Sequence, residues 1–115
     1  MLVSERMFEL RKQIDIVKEE LENHKLKLNV YQVKINHLRN KIRDIDEDIE
    51  WVKAAYPIEI PFGKTRLTHK KALDYMKKEV KYELKEVYEK KKGIETKIAL
   101  KKIELANLKA EYKSL

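Results

Sequence analysis

Residues 3–52, VSERMFELRKQIDIVKEELENHKLKLNVYQVKINHLRNKIRDIDEDIEWV, decide the fold. From Val3 a seam runs through Met7, Leu10, Ile14, Val17, Leu21, His24, Leu28, Tyr31, Ile35, Leu38, Ile42, Ile45, Ile49 and Val52, its steps alternating between four and three residues. A heptad repeat held this long keeps one narrow apolar stripe on one side of an under-wound helix, the pattern of a left-handed coiled coil. Such a stripe needs a partner helix to cover it.

Outward from the seam, the first helix is expected over 3–55, roughly 75–80 Å at ~1.5 Å per residue. Pro57 stops it, because its ring and missing N–H cannot continue the ladder and it disfavours helical geometry at Tyr56. The period then changes. Ile58-Glu59-Ile60 alternates apolar and polar, Pro61-Phe62-Gly63-Lys64 carries turn chemistry, and Thr65-Arg66-Leu67 is again β-favouring. The simplest reading is a β-hairpin over 58–67, with an extended linker as the alternative, since an isolated two-stranded hairpin is marginal in water. Unpaired hairpin edges are templates for another strand. Ile58, Ile60, Phe62, Thr65 and Leu67 are therefore the candidate oligomerisation residues.

Thr68 is placed to cap a second helix over 69–113. Its seam is Leu73, Val80, Leu84, Val87, Ile94, Ile98, Leu105, Leu108, Tyr112 and Leu115, interrupted by Lys77, Lys91 and Lys101. Gly93 within it costs ~1 kcal/mol relative to alanine. Folding the chain back pairs positions whose numbers sum to about 125, bringing Val52 to Leu73, Leu38 to Val87 and Leu10 to Leu115, with seam residue facing seam residue. This register also sets His24 opposite Lys101, polar against polar. The expected fold is all-α with a small β-hairpin: one elongated domain over 1–115, an antiparallel two-helix coiled-coil hairpin in the order helix, β-hairpin, helix. A parallel dimer through the first helix is the competing topology, and it leaves the second stripe unmatched.

Composition agrees with long helices. Of 115 residues 41% are charged, with only two glycines and two prolines. The lack of cysteine excludes disulfides, thiol nucleophiles and Cys-ligated zinc, and it fits a reducing, cytoplasmic setting. Met1–Arg11 already belongs to the charged heptad pattern, so no secretory signal is expected there. No apolar run approaches the ~20 residues needed to span a bilayer, so no membrane association is expected. The net charge of +7 falls entirely in the second half of the chain.

No enzyme signature is present: there is no glycine-rich phosphate loop, no His-Glu-x-x-His and no Gly-x-Ser-x-Gly. His24, His37 and His69 are too far apart along a coiled coil to share a metal. Neither catalysis, a metal nor a cofactor is expected. Binding is the remaining class, with two candidate surfaces. Apolar residues off the seam, Leu26, Val30, Val33, Leu100 and Ile103, suit a client or a second hairpin, although scattered surface apolars need no explanation. A basic band of Lys25, Lys27, Lys34, Arg39, Lys41, Arg43, Lys90, Lys91 and Lys92 suits a nucleic-acid backbone, although a solvated face is the simpler reading of such a run.

A long helix to Val52, the segment Ile58–Leu67, and a second helix opening Leu73-Asp74-Tyr75-Met76-Lys77-Lys78-Glu79-Val80 resemble a prefoldin subunit of the β class in layout and length, over nearly the whole chain. The resemblance implies hairpins assembled into a β-barrel platform, as a homo- or hetero-oligomer. It also implies an ATP-independent chaperone whose coiled-coil tips, near Met7, Leu10, Leu108 and Leu115, hold non-native protein clients. The alternative class is a structural or nucleic-acid-associated coiled-coil protein, built as a dimer of helical hairpins.

Overall fold

The computed structural model describes residues 2–55 and 62–115, with side chains over 2–54 and 69–115. Nearly all of them lie in two helices, α1 over Val3–Ala55 and α2 over Phe62–Ser114. The helices run antiparallel, as the pairing of Arg6 with Glu111 near one end and of Asp46 with Lys77 near the other requires. Helix α1 takes the limits that its heptads and Pro57 set.

Helix α2 starts at Phe62 rather than at residue 69, so Thr65-Arg66-Leu67 is helical and not a strand. Thr68 lies inside the helix rather than at its cap. No strand occurs among the described residues, and strand pairing through Phe62, Thr65 and Leu67 is corrected accordingly. Ile58 and Ile60 lie outside the described residues. The physical reason is a contest of local patterns. A short β-favouring run gains little in an unsupported hairpin, whereas a helix satisfies its own backbone.

Contacts divide the chain into two compact units, Met1–Tyr31 with Lys90–Leu115, and Gln32–Glu89. In the first, Leu10, Ile14, Val17 and Leu21 of α1 are buried along with Ile94 and Ile98 of α2. Leu21, Ile94 and Ile98 form one cluster, with Leu28, Tyr31 and Leu105 packed against it. In the second unit Ile35, Leu38, Ile45, Ile49 and Val52 are buried along with Leu73, Val80 and Val87. Each buried aliphatic side chain contributes ~1.5–3 kcal/mol. From Met7 to Val52, and from Leu73 to Tyr112, every expected seam position is buried or half-buried. Only the terminal seam residues Val3 and Leu115 are exposed.

Polar contacts refine the register. With Met7 at heptad position a and Leu10 at d, Lys34 and Glu83 both fall at g, and Arg39 and Tyr88 both fall at e. In the Gln32–Glu89 unit Lys34 pairs with Glu83 at 3.5 Å, and Arg39 donates to the Tyr88 hydroxyl. These two contacts flank the seam on opposite sides and set a against d: Ile35 opposite Val87, Leu38 opposite Leu84, Ile45 opposite Lys77. In the other unit Arg6 Nε donates to Glu111 Oε1 at 3.0 Å, again g to g. That sets Leu10 opposite Tyr112, Leu21 opposite Lys101 and His24 opposite Ile98. The expected pairing of d with d is corrected by less than one helical turn. His24 does not share a layer with Lys101.

The three lysines that interrupt the α2 seam are each about a quarter exposed and each ion-paired. Lys77 meets Asp46, Lys91 meets Glu95 at 3.7 Å, and Lys101 meets Glu20 and, at 3.2 Å, Glu104. Polar seam residues of this kind lower stability and fix register. Among the described residues no buried side-chain polar atom lacks a hydrogen-bond partner.

Candidate functional site

In the Met1–Tyr31/Lys90–Leu115 unit, Leu26 and Val30 sit one turn apart at the outer positions f and c of α1, 56% and 64% exposed. Leu100 and Ile103 occupy the outer c and f positions of α2 and are similarly exposed. Outer positions point away from the seam, so these two apolar pairs face opposite sides of the unit. They do not merge into a single patch. Val33, at an outer position of α1 in the Gln32–Glu89 unit, is 69% exposed.

Exposed aromatics accompany them. Tyr75 and Tyr82 stand two turns apart on the outer face of α2 and line an open cleft with Lys78, Glu79 and Glu83. A hydrogen bond to the Glu79 carboxylate, reinforced by its charge, holds the Tyr75 phenol above its ordinary pKa. Trp51 and Phe8 are also exposed, with Lys12 Nζ 5.8 Å from the Phe8 ring centre. Neither was singled out from the sequence. Their c and b heptad positions were the available signal.

The basic band is partly neutralised. Lys34 holds Glu83, Arg43 lies 3.6 Å from Asp44, and Lys91 holds Glu95. The Arg39 guanidinium stacks over Tyr88, 5.4 Å from the ring centre, besides its hydrogen bond to that hydroxyl. Among the described residues Lys25, Lys27, Lys41, Lys90 and Lys92 make no such ion pair. The band also divides between the units: Lys34, Arg39, Lys41 and Arg43 belong to Gln32–Glu89, the others to the first unit.

Heptad position sorts these charges better than chain position does. In the first unit the e positions hold Arg11, Lys18 and Lys25 on α1, and Glu95, Lys102 and Lys109 on α2. The register sets Lys18 opposite Lys109 and Lys25 opposite Lys102. All four lysines are exposed, with no ion pair to an acid among the described residues. In the second unit the same flank mixes its charges and pairs them: Arg39 bonds Tyr88, Asp46 pairs with Lys77 and Lys53 pairs with Glu50. Lys18 and Lys109 were missed in the sequence because Lys18 sits beside Glu19 and Glu20 and Lys109 stands alone in its stretch.

Among the described residues no group of three or more His, Cys, Asp or Glu side chains is placed to hold a metal ion. No described helix is long and apolar enough to cross a membrane. Set against protein-family models, curated proteins and solved structures, the chain matches none of them.

Proposed function

We propose that the protein acts by binding other proteins, as an ATP-independent holdase or assembly factor of prefoldin-like type in a reducing, cytoplasmic compartment. The observation that supports this reading is the pair of outward apolar patches, Leu26 with Val30 and Leu100 with Ile103, which the coiled coil does not need for its own seam. Each buried side chain there would add ~1.5–3 kcal/mol to a contact with an exposed apolar segment of a non-native chain. With a patch on either side, one unit can touch two neighbours: two stretches of a client, or a client and a second hairpin. The prefoldin likeness is carried forward as a two-helix hairpin that holds clients, without a β-barrel built on Thr65 and Leu67. Assembly into a homo- or hetero-oligomer then runs through helix faces.

The test is suppression of aggregation. A thermally unfolding enzyme is followed by light scattering with equimolar full-length chain, either wild type or carrying Leu26→Ser, Val30→Ser and Ile103→Ser. These positions are solvent-facing, so the variant should keep its melting temperature within a few degrees, since surface substitutions of this kind cost little. The wild type should suppress scattering and the variant should lose most of that effect. Suppression by the folded variant equal to the wild type, or none by the wild type, would refute the holdase reading.

A further inference from the structure

We infer that the e flank of the Met1–Tyr31/Lys90–Leu115 unit is a sequence-independent contact site for a nucleic-acid backbone. This goes beyond the protein-binding reading and rests on different residues. Coiled coils normally place opposite charges on their flanks, where they choose partner and orientation. Here the register set by Arg6 and Glu111 brings Lys18 opposite Lys109 and Lys25 opposite Lys102. Like charges so placed oppose folding by a few tenths of a kcal/mol each. The chain does not do this throughout, since the same flank of the Gln32–Glu89 unit mixes its charges and pairs them. These two lysine pairs across one flank carry no ion pair to an acid among the described residues, which leaves their charge available to an anion from outside.

The geometry suits a polyphosphate. Successive lysines on each helix are seven residues apart, about 10.5 Å along the axis, and the two rows are separated by roughly the 8–10 Å between packed helices. A duplex carries one negative charge per ~1.7 Å of axis, so about six phosphates pass between the two rungs. Ala99 and Ala106, at b positions beside Lys102 and Lys109, leave that side of the flank open. Asp15 and Glu22, at b positions of α1, border the array, but neither forms an ion pair with Lys18 or Lys25 among the described residues. Among the described residues the larger apolar side chains between the four lysines are the seam residues Leu21, buried, and Leu105, half-buried, and no large hydrophobic is exposed on this flank. That favours phosphate over an acidic protein, because protein interfaces are built around an apolar centre, whereas backbone contacts to nucleic acid require only charge and hydrogen bonding.

Binding of the full-length chain to a fluorescent 20-base-pair duplex, measured by anisotropy from 50 to 200 mM salt, tests the inference. Four lysine contacts predict a slope of log K against log salt of about −3.6, a loss of about 100-fold across that range. Lys102→Gln with Lys109→Gln should roughly halve the slope while raising the melting temperature, because the like-charge pairs are gone. Lys41→Gln with Arg43→Gln removes the same charge from the other unit and should leave the slope nearly unchanged. Three results would overturn the inference: no duplex binding at 50 mM salt, equal weakening by the two double variants, or displacement of the duplex by poly-glutamate at equal charge concentration.

Discussion

In the Gln32–Glu89 unit the residues beside the seam complement one another: Lys34 pairs with Glu83, Arg39 stacks on Tyr88, and Asp46 holds Lys77. In the Met1–Tyr31/Lys90–Leu115 unit one flank does the same, through Arg6 with Glu111 and Glu20 with Lys101, while the other sets lysine against lysine. The first unit also carries the outward pairs Leu26–Val30 and Leu100–Ile103. Both units are built on one heptad pattern and bury the same kinds of aliphatic side chain. The seam therefore explains the fold of both, and the charge on one flank is where they differ. Residues that serve only the hairpin are matched within the chain. Those left unmatched are the ones available to a partner.

The largest expected effect tests what the two units share. Ile35 is fully buried, and Ile35→Ala should lower unfolding free energy by about 2–4 kcal/mol in urea titration, through lost burial and a cavity. A cost below ~1 kcal/mol would show that the seam does not carry the fold. Gly93→Ala should act in the opposite direction. A Cβ there meets nothing within 4 Å, so the variant should gain up to ~1 kcal/mol from helix propensity alone. A loss instead would place an unseen neighbour against α2.

Smaller effects sharpen the contrast between the flanks. Lys109→Glu should raise stability by a few tenths of a kcal/mol at low salt, whereas Lys53→Glu, which puts like charge beside Glu50, should lower it by a similar amount. Both changes should shrink as salt is added. Changes of the same sign would dissolve the distinction drawn between the units. The smallest effect concerns pH. Hydrogen bonds that the Lys101 ammonium donates to Glu20 and then to Glu104 hold it above its ordinary pKa. A group with a raised folded pKa contributes fully below its unfolded value and loses that contribution as pH rises through the folded value. Alkaline melting curves of Lys101→Met should therefore fall less steeply than those of the wild type.

Much of this was legible in the chain itself. Among the described residues the four-three spacing marked every buried position of both helices, because a coiled coil writes its core into the sequence at fixed intervals. The limits of α1 followed from Pro57. The register was nearly legible but came out short of the truth by part of a turn. Matching the hydrophobic positions alone cannot separate d against d from a against d, and the flanking charges decide it. The segment 62–68 misled because its β-favouring residues are few, and a short run weighs little against an adjoining helix. The apolar outer residues were visible as breaks in the pattern, yet their division onto opposite sides needed the antiparallel partner in place. The lysine array was hidden for the same reason: Lys18 and Lys109 are distant in the chain and face each other only once the register is set.

Disulfide formation across the seam tests the antiparallel a-against-d register most directly. The chain has no cysteine of its own, so Leu38→Cys can be combined with Leu84→Cys in one variant and with Val87→Cys in another. Both are then oxidised at low concentration and resolved by non-reducing electrophoresis and peptide mapping. An a-against-d register gives rapid crosslinking within a single chain for the variant changed at Leu38 and Leu84. The same register leaves the variant changed at Leu38 and Val87 to crosslink slowly or not at all, since bridging needs Cα atoms within ~7 Å. Faster closure of the second pair, or crosslinks found only between chains, would contradict it.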